Sequence, residues 1–419
     1  MLFSSLFAKT AEYEKLAHAL SAPGACALFG LPGSGRAMVY AALAKETGRF
    51  LCIVTPGEAE ATRFAGDLNA LGIPTAVFPA RDYVLRPIES TAREYEYRRL
   101  SVLGDIVGGR LQAVCVPDEG LTQYTTPRAE FCNNTRTLHP GDTVPRTELT
   151  ALLYNAGYAR RAQVDGPGQF SIRGDIVDLY APDMKLPVRM EFWGDEIDTM
   201  HTFDLATQRR EDPIEKIYVS PAREVLFGSP AEAAELLRAF IKKFRGKKRT
   251  ALEACLATEL AQLDGGALPV NMDKYLAVRY PQPATLLDYF DDPLLVLEEP
   301  ASLQEAERAT TYRRGEEISA LLQDGVLAAG LDNLYAENGY LWAQAANHRT
   351  ICAENFARSM PDMPLKDIVN APAHTLPAWG GEVTSLLEDL QPLCNGGAAV
   401  TVLAGTQRAA AGLAADLRT

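Results

Sequence analysis

Cysteine and histidine are sparse in this chain and never grouped in a way that builds a site by proximity. The seven cysteines (Cys26, Cys52, Cys115, Cys132, Cys255, Cys352 and Cys394) are odd in number, scattered, and never form a Cys-x-x-Cys pair. A zinc ribbon and a disulfide framework are both excluded by that spacing, and the cysteines read as small core residues in a reducing compartment. The five histidines (His18, His139, His201, His348 and His374) are isolated from one another, so no zinc motif is expected and no metal or other cofactor is assigned. Long apolar runs are missing too: no stretch approaches the eighteen or so uninterrupted apolar residues of a membrane span. The start, Met1 to Phe7, lacks the charged segment of a secretory signal. Positive charge is in deficit, with 41 Lys and Arg against 54 Asp and Glu, a net charge of -13. Such a balance repels phosphate backbones and argues against tight sequence-independent DNA binding by this chain alone. These absences lead to the expectation of a soluble cytoplasmic protein without membrane attachment.

What is present is enough apolar material, 47% of 419 residues, for about three domains at roughly 100 to 200 residues each. The first third alternates strand and helix signals. Ala25 to Phe29 is a short apolar run, Ala37 to Ala44 reads as a helix, Phe50 to Val54 is a second buried strand, and Ala113 to Val116 closes the series. This rhythm predicts a parallel sheet covered on both faces. From about Gly157 it gives way to close-set strands broken by Gly-Pro-Gly, Arg-Gly-Asp and Ala-Pro-Asp turns, the signature of an antiparallel α+β insert. Helical patterns return after Pro213: Pro230 to Phe244, Thr250 to Leu263, and Ser302 to Leu322 behind a buried strand at Leu294 to Leu297. A last segment carries a strand signal at Ala398 to Leu403 and a helix from Gln407. The expected organisation is an α/β protein: a RecA-like, P-loop-type parallel-sheet domain in two parts (1–120 and 213–330), an inserted α+β antiparallel domain (121–212), and a small carboxy-terminal α/β domain (331–419).

Between the first strand and helix lies Gly30-Leu31-Pro32-Gly33-Ser34-Gly35-Arg36-Ala37. It has the frame of a P-loop, G-x-x-x-x-G-K-[ST], in which backbone amides cradle phosphates, Lys reaches the terminal ones and a hydroxyl holds Mg²⁺. Gly30, Gly33 and Gly35 would allow an anion nest, but Ala37 offers the metal no oxygen. Arg36 replaces a compact ammonium with a bulkier planar fork. Loss of both side chains removes the electrostatics of phosphoryl transfer, so the loop is expected to be degenerate and without ATPase activity. The best match to a second ATPase motif, Leu294-Leu295-Val296-Leu297-Glu298-Glu299, is equally a buried strand ending in acids.

In the insert, period-2 alternation over Val188-Arg189-Met190-Glu191-Phe192-Trp193 buries Val188, Met190 and Phe192 and turns Arg189, Glu191 and Trp193 to the other face. The same rule over Gln169 to Arg173 buries Phe170 and Ile172 and turns Arg173 outward. Arg and Trp are enriched among interface hot spots, which marks a docking surface. A plainer alternative is that Arg189 covers Trp193 as a cation-π contact and pairs with Glu191. The dense basic run Lys242 to Arg249 reads either as a DNA contact or as a solvated helix end.

The run from Gly157 through Gly166-Pro167-Gly168-Gln169-Phe170-Ser171-Ile172-Arg173-Gly174-Asp175 to Pro187-Val188-Arg189-Met190-Glu191-Phe192-Trp193-Gly194-Asp195-Glu196 resembles the UvrB-homology module of the bacterial transcription-repair coupling factor (Mfd) family. The likeness extends more loosely from about Gly30 to Leu322. It implies a UvrB-like platform whose insert docks the excision-repair protein UvrA through the R-G and P-x-R-x-x-[FW]-[FW] motifs, here Arg173, Arg189 and Trp193. UvrB itself resembles the insert but carries an intact P-loop and a long clamp hairpin where this chain has only Pro79 to Pro87, so the coupling factor is the nearer likeness. The resemblance further implies that RNA polymerase and double-stranded DNA are bound by regions absent from this chain, which reads as an amino-terminal fragment of an ATP-dependent translocase. The rival expectation is a UvrB-like ATPase in which Arg36 does the work of lysine.

Overall fold

The computed structural model describes residues 8–86, 93–356, 363–373, 382–398, 400, 402, 404 and 406–417. Its first strands are β1 (Gly24–Phe29), β2 (Leu51–Thr55), β3 (Thr75–Val77) and β4 (Ala113–Pro117). Eight follow in the middle of the chain: β5 (Arg136–Leu138), β6 (Ala159–Arg160), β7 (Gln169–Arg173), β8 (Ile176–Tyr180), β9 (Val188–Trp193), β10 (Glu196–Phe203), β11 (Arg210–Pro213) and β12 (Ile217–Val219). The last are β13 (Leu294–Glu298), β14 (Arg349–Glu354) and β15 (Leu365–Asn370).

A seven-stranded parallel sheet, in the order β15-β1-β14-β13-β2-β4-β3, forms the platform. Its central strands are apolar on both faces, and successive residues feed opposite cores. Leu51, Ile53, Leu294 and Val296 enter one cluster with the helix Gly33–Thr47. Cys52, Val54, Leu295 and Leu297 enter the other with Leu100, Leu103 and Phe131. Continuous apolar runs are what a sheet buried on both sides demands. A third core gathers the helices Pro230–Lys242, Gly246–Cys255 and Ala257–Asp264 around Leu237, Leu252 and Leu276. The first of these starts on a Ser229 cap that accepts the Glu232 amide at 3.1 Å, with Pro230 in its first turn. The expected single helix Thr250 to Leu263 is two, divided at Leu256.

The expected boundary at residue 330 does not coincide with the sheet. β14 and β15 lie beyond it, yet they flank β1 on its two sides. The compact unit runs to Ala371, and Pro372–Thr419 forms a second unit containing the helices Val383–Asn395 and Gln407–Asp416. Burial alternates along β15, which exposes Lys366, Ile368 and Asn370, and a charged, partly exposed strand suits a sheet edge. The strand expected at Ala398 to Leu403 lies partly outside the described residues.

The insert is a six-stranded sheet in the order β11-β10-β9-β8-β7-β6, antiparallel apart from the β6–β7 pair. Its base is closed by antiparallel pairing of β5 with β12, so the paired strands span 136–219 rather than the expected 121–212. Two three-residue strands far apart in sequence give no local signal of this closure.

Where the chain enters and leaves the insert, both crossings meet one buried ionic network. Arg99 is fully buried; its Nε donates to Glu224 Oε1 at 2.6 Å and its Nη1 to Gln123 Oε1 at 3.0 Å. Arg81 Nη1 and Nη2 donate to the two oxygens of Asp273 at 2.7 and 2.8 Å, and its Nε lies 3.3 Å from Glu224. Arg99 also stacks on Phe78, its Cζ 4.1 Å from the ring centroid. Burial pushes the neighbouring Glu96 carboxyl, which accepts the Glu224 amide at 3.0 Å, up to about 7. Removing one partner of such a set strands the others in low dielectric, at about 3 to 5 kcal/mol. Glu224→Gln is therefore expected to lower the urea-unfolding free energy of the 1–371 unit by about 3 kcal/mol, whereas exchanging the exposed Arg86, paired with Asp324, for Ala should change it by less than about 1 kcal/mol.

Candidate docking face and the closed phosphate loop

Two hairpins build one end of the insert sheet. β7 turns into β8 through Gly174-Asp175, and β9 turns into β10 through Gly194-Asp195. In each, the first turn residue has a left-handed φ, 62° at Gly174 and 64° at Gly194, which a two-residue hairpin of type II′ requires and glycine supplies without strain. Because β7 and β9 both run antiparallel to β8, the two turns lie at the same end. Arg173, Ile176 and Glu191 are consecutive partners across three strands, which separates Arg173 from β9 by roughly 10 Å at the usual strand spacing.

The expected alternation holds along β9: Val188, Met190 and Phe192 are buried with Val177 and Leu179 in the insert core, while Arg189, Glu191 and Trp193 face outward. Trp193 is 85% exposed, more than any other large hydrophobic side chain among the described residues. Along β7 the pattern is less clean. Phe170 is buried as expected, but Ile172 is half-buried and Ser171 on the opposite face is buried, its hydroxyl donating to the Ala162 carbonyl at 3.0 Å.

The arginines are organised by a residue that sequence reasoning did not single out. Asp178, in the middle of β8 and 1% exposed, accepts from Arg189 Nε at 2.7 Å and Nη2 at 2.9 Å, and from Arg173 Nη2 at 2.7 Å. Its signal in the sequence is a lone carboxylate interrupting the apolar run Ile176-Val177-Asp178-Leu179. Arg189 Nη1 also donates to the Gln208 carbonyl at 3.2 Å, and its Cζ lies 4.7 Å from the centroid of Phe203. The plainer alternative is thus corrected in both particulars: the ring beneath Arg189 is Phe203 rather than Trp193, and its carboxylate is Asp178. Glu191 pairs with Arg210 instead. Hydrogen bonding to Asp178 raises the Arg189 pKa further, so its charge is permanent. Two guanidiniums share one carboxylate on the face of the sheet that also carries the exposed indole of Trp193.

At the phosphate loop the helix begins at Gly33, four residues earlier than expected, with the Arg36 amide already bonded to the Pro32 carbonyl at 2.9 Å. Gly33, Ser34 and Gly35 are therefore helical, and only Leu31 and Pro32 separate Gly30 from the helix. The Gly33, Ser34 and Gly35 amides are the donors of a helix start, which have no partner within the helix, so the difference from a working loop lies in the side chains at Arg36 and Ala37. Gly30 has φ 90°, and a Cβ there would lie 2.8 Å from the Ala371 carbonyl oxygen, so it answers to packing. Arg36 is turned inward and buried, its Nη1 3.0 Å from Glu298 Oε2 and 2.9 Å from Glu299 Oε1. Tyr40 donates its hydroxyl to Glu298 Oε1 at 2.5 Å. Burial pushes the Glu298 carboxyl up to about 7 in spite of Arg36 and Tyr40. A carboxyl that titrates near neutrality under a guanidinium is a poor cation ligand. Ala37 is fully buried.

The basic run Lys242 to Arg249 spans the end of one helix and the exposed start of the next, with Arg249 paired to Glu253 at 2.8 Å. Among the described residues no group of three or more His, Cys, Asp or Glu side chains could hold a metal, and no helix is long and apolar enough to cross a membrane.

Comparison with known families gives the class of this face. Residues 137–225, which contain β6 to β12 and every side chain of the docking face, match the UvrB interaction domain. Beyond that domain, the chain is 26% identical to the transcription-repair-coupling factor of Bacillus subtilis over 375 residues, 87% of this chain and 32% of that protein. It is 26% identical to the transcription-repair-coupling factor of Staphylococcus haemolyticus over 309 residues, 71% of this chain and 26% of that protein. With that of Staphylococcus epidermidis it shares 23% identity over 391 residues, 90% of this chain and 33% of that protein. The chain thus spans a third or less of the length of these relatives.

Proposed function

We propose that this chain is a UvrA-docking module of transcription-coupled repair, recruiting nucleotide excision repair to RNA polymerase stalled at DNA lesions. The observation that carries this reading is the pair Arg173 and Arg189 on one buried carboxylate, on the same sheet face as the exposed Trp193, inside a segment that matches the UvrB interaction domain. The arginines suit carboxylates of UvrA, and Trp193 supplies the apolar area of a hot spot. Arg173, whose side chain is 47% exposed, is the direct contact. Arg189, at 15%, reaches the partner only along one edge. RNA polymerase and double-stranded DNA would be engaged by other segments of a longer coupling factor with translocase activity.

Truncating a central hot spot costs about 2 kcal/mol or more, about thirtyfold in affinity. Arg173→Ala and Trp193→Ala are each expected to weaken UvrA binding by at least about tenfold in a calorimetric titration while leaving the melting temperature unchanged. The double variant Arg173→Ala with Arg189→Ala should abolish measurable binding. Unaltered affinity of Arg173→Ala would overturn the assignment.

We also propose that the chain hydrolyses no ATP. The support is the buried Ala37, which offers no hydroxyl, and the inward Arg36, whose guanidinium occupies the acids a nucleotide-bound Mg²⁺ would need. Restoring the residue types of a working loop with Arg36→Lys and Ala37→Thr is expected to produce no Mg·ATP turnover. Turnover by the unaltered chain that vanishes on substitution of Arg36 would instead favour a UvrB-like ATPase.

A further inference from the structure

We infer that Asp178 is the positioning residue of the docking face: its buried carboxylate bridges two arginines so that Arg189 is anchored and Arg173 is presented to a partner carboxylate. The inference rests on the docking reading above and assigns a role within it. Its basis is the unequal use of the two guanidinium groups. Arg189 gives Nε and Nη2 to Asp178 and Nη1 to the Gln208 carbonyl, and its plane covers Phe203. Little of its fork is left for another molecule. Arg173 gives Asp178 a single bond from Nη2 and keeps the rest of its donors on a half-exposed side chain.

Asp178 can serve both because of its register. On β8 it is the cross-strand partner of Ser171 on one side and Arg189 on the other, so Arg189 approaches from the adjacent position while Arg173 reaches back from two residues further along β7. Gln208 completes the clamp. It is one of only two non-glycine residues with a left-handed φ among the described residues, 58°, and its own amide is tied to the Asp204 carbonyl at 2.8 Å. A non-glycine residue in that region is strained and persists where its surroundings hold it; here the bond from Arg189 is part of that hold.

The physical consequence is preorganisation. A free arginine loses rotamer entropy when it docks, and an arginine already fixed by an internal carboxylate loses less. Asp178 therefore strengthens binding to an acidic partner even though it carries the same sign of charge as that partner. This sets two opposite expectations for Asp178→Asn. If the carboxylate only repelled the partner, its removal would tighten binding. If it positions the arginines, removal weakens binding despite the more favourable net charge.

The test is a kinetic titration of the full chain with UvrA, using Asp178→Asn, Asp178→Glu, Arg173→Ala and the double variant Arg173→Ala with Asp178→Asn. Positioning predicts that Asp178→Asn weakens affinity about tenfold through faster dissociation, with association unchanged or faster. It predicts that Asp178→Glu, which keeps the charge on a longer side chain, lies between Asp178→Asn and the unaltered chain. It also predicts that Asp178→Asn costs little more once Arg173 is gone, because interacting residues are not additive. Wild-type or tighter binding by Asp178→Asn overturns the inference, and so does an equal loss in the Arg173→Ala background. Normal binding by Arg173→Ala overturns the docking reading itself, whereas weak binding by Arg173→Ala with normal binding by Asp178→Asn overturns only the role of Asp178.

Discussion

The buried set Arg81, Arg99, Glu224, Asp273 and Gln123 is the constraint on which the rest of the molecule depends. Gln123 precedes the insert and Glu224 follows it, and both are held by arginines that belong to the first part of the platform. Asp273, which receives the fork of Arg81, comes from the helical part beyond. Three stretches of chain far apart in sequence are thereby fixed to one another by charge pairs that water does not screen. An apolar seam would hold them as firmly but would specify their mutual geometry less sharply than bidentate guanidinium contacts do. The docking face is thus carried on a mount.

The same logic of opposed charge, placed inside rather than at the surface, explains both sites. At the loop that resembles a nucleotide site, the buried Arg36 guanidinium forms ion pairs with the acids Glu298 and Glu299. At the docking face the balance is left incomplete, one carboxylate against two guanidiniums. In the first arrangement the guanidinium is buried between two acids of the same chain. The second leaves Arg173 half-exposed on the face that carries the exposed Trp193.

Much of this was legible in the residues. Apolar runs at 25–29, 51–54 and 294–297 announced a doubly covered parallel sheet, and alternation along Val188 to Trp193 placed every side chain of that strand on its observed face. What escaped were relations between distant positions. Arg36 and Glu299 are 263 residues apart, and no local pattern states that one turns onto the other. The position of β14 is a matter of pairing: its short run, Thr350 to Ala353, resembles many others until β1 and β13 lie on either side of it. Asp178 was passed over because an acid within an apolar strand reads as an interruption unless the arginines on both neighbouring strands are considered together.

The place of β14 and β15 beside β1 bears on the order in which the molecule assembles. The hairpins of the insert join neighbours in sequence and can close as soon as they leave the ribosome, since local contacts carry little loop-closure cost. The platform cannot. Its first strand is flanked by strands that emerge only with residues 349–370, so the backbone edges of β1 stay unpaired until nearly the whole of the 1–371 unit has been made. A chain cut at residue 330 would leave β1 with neither neighbour, and the glycine loop would follow a strand held in no sheet.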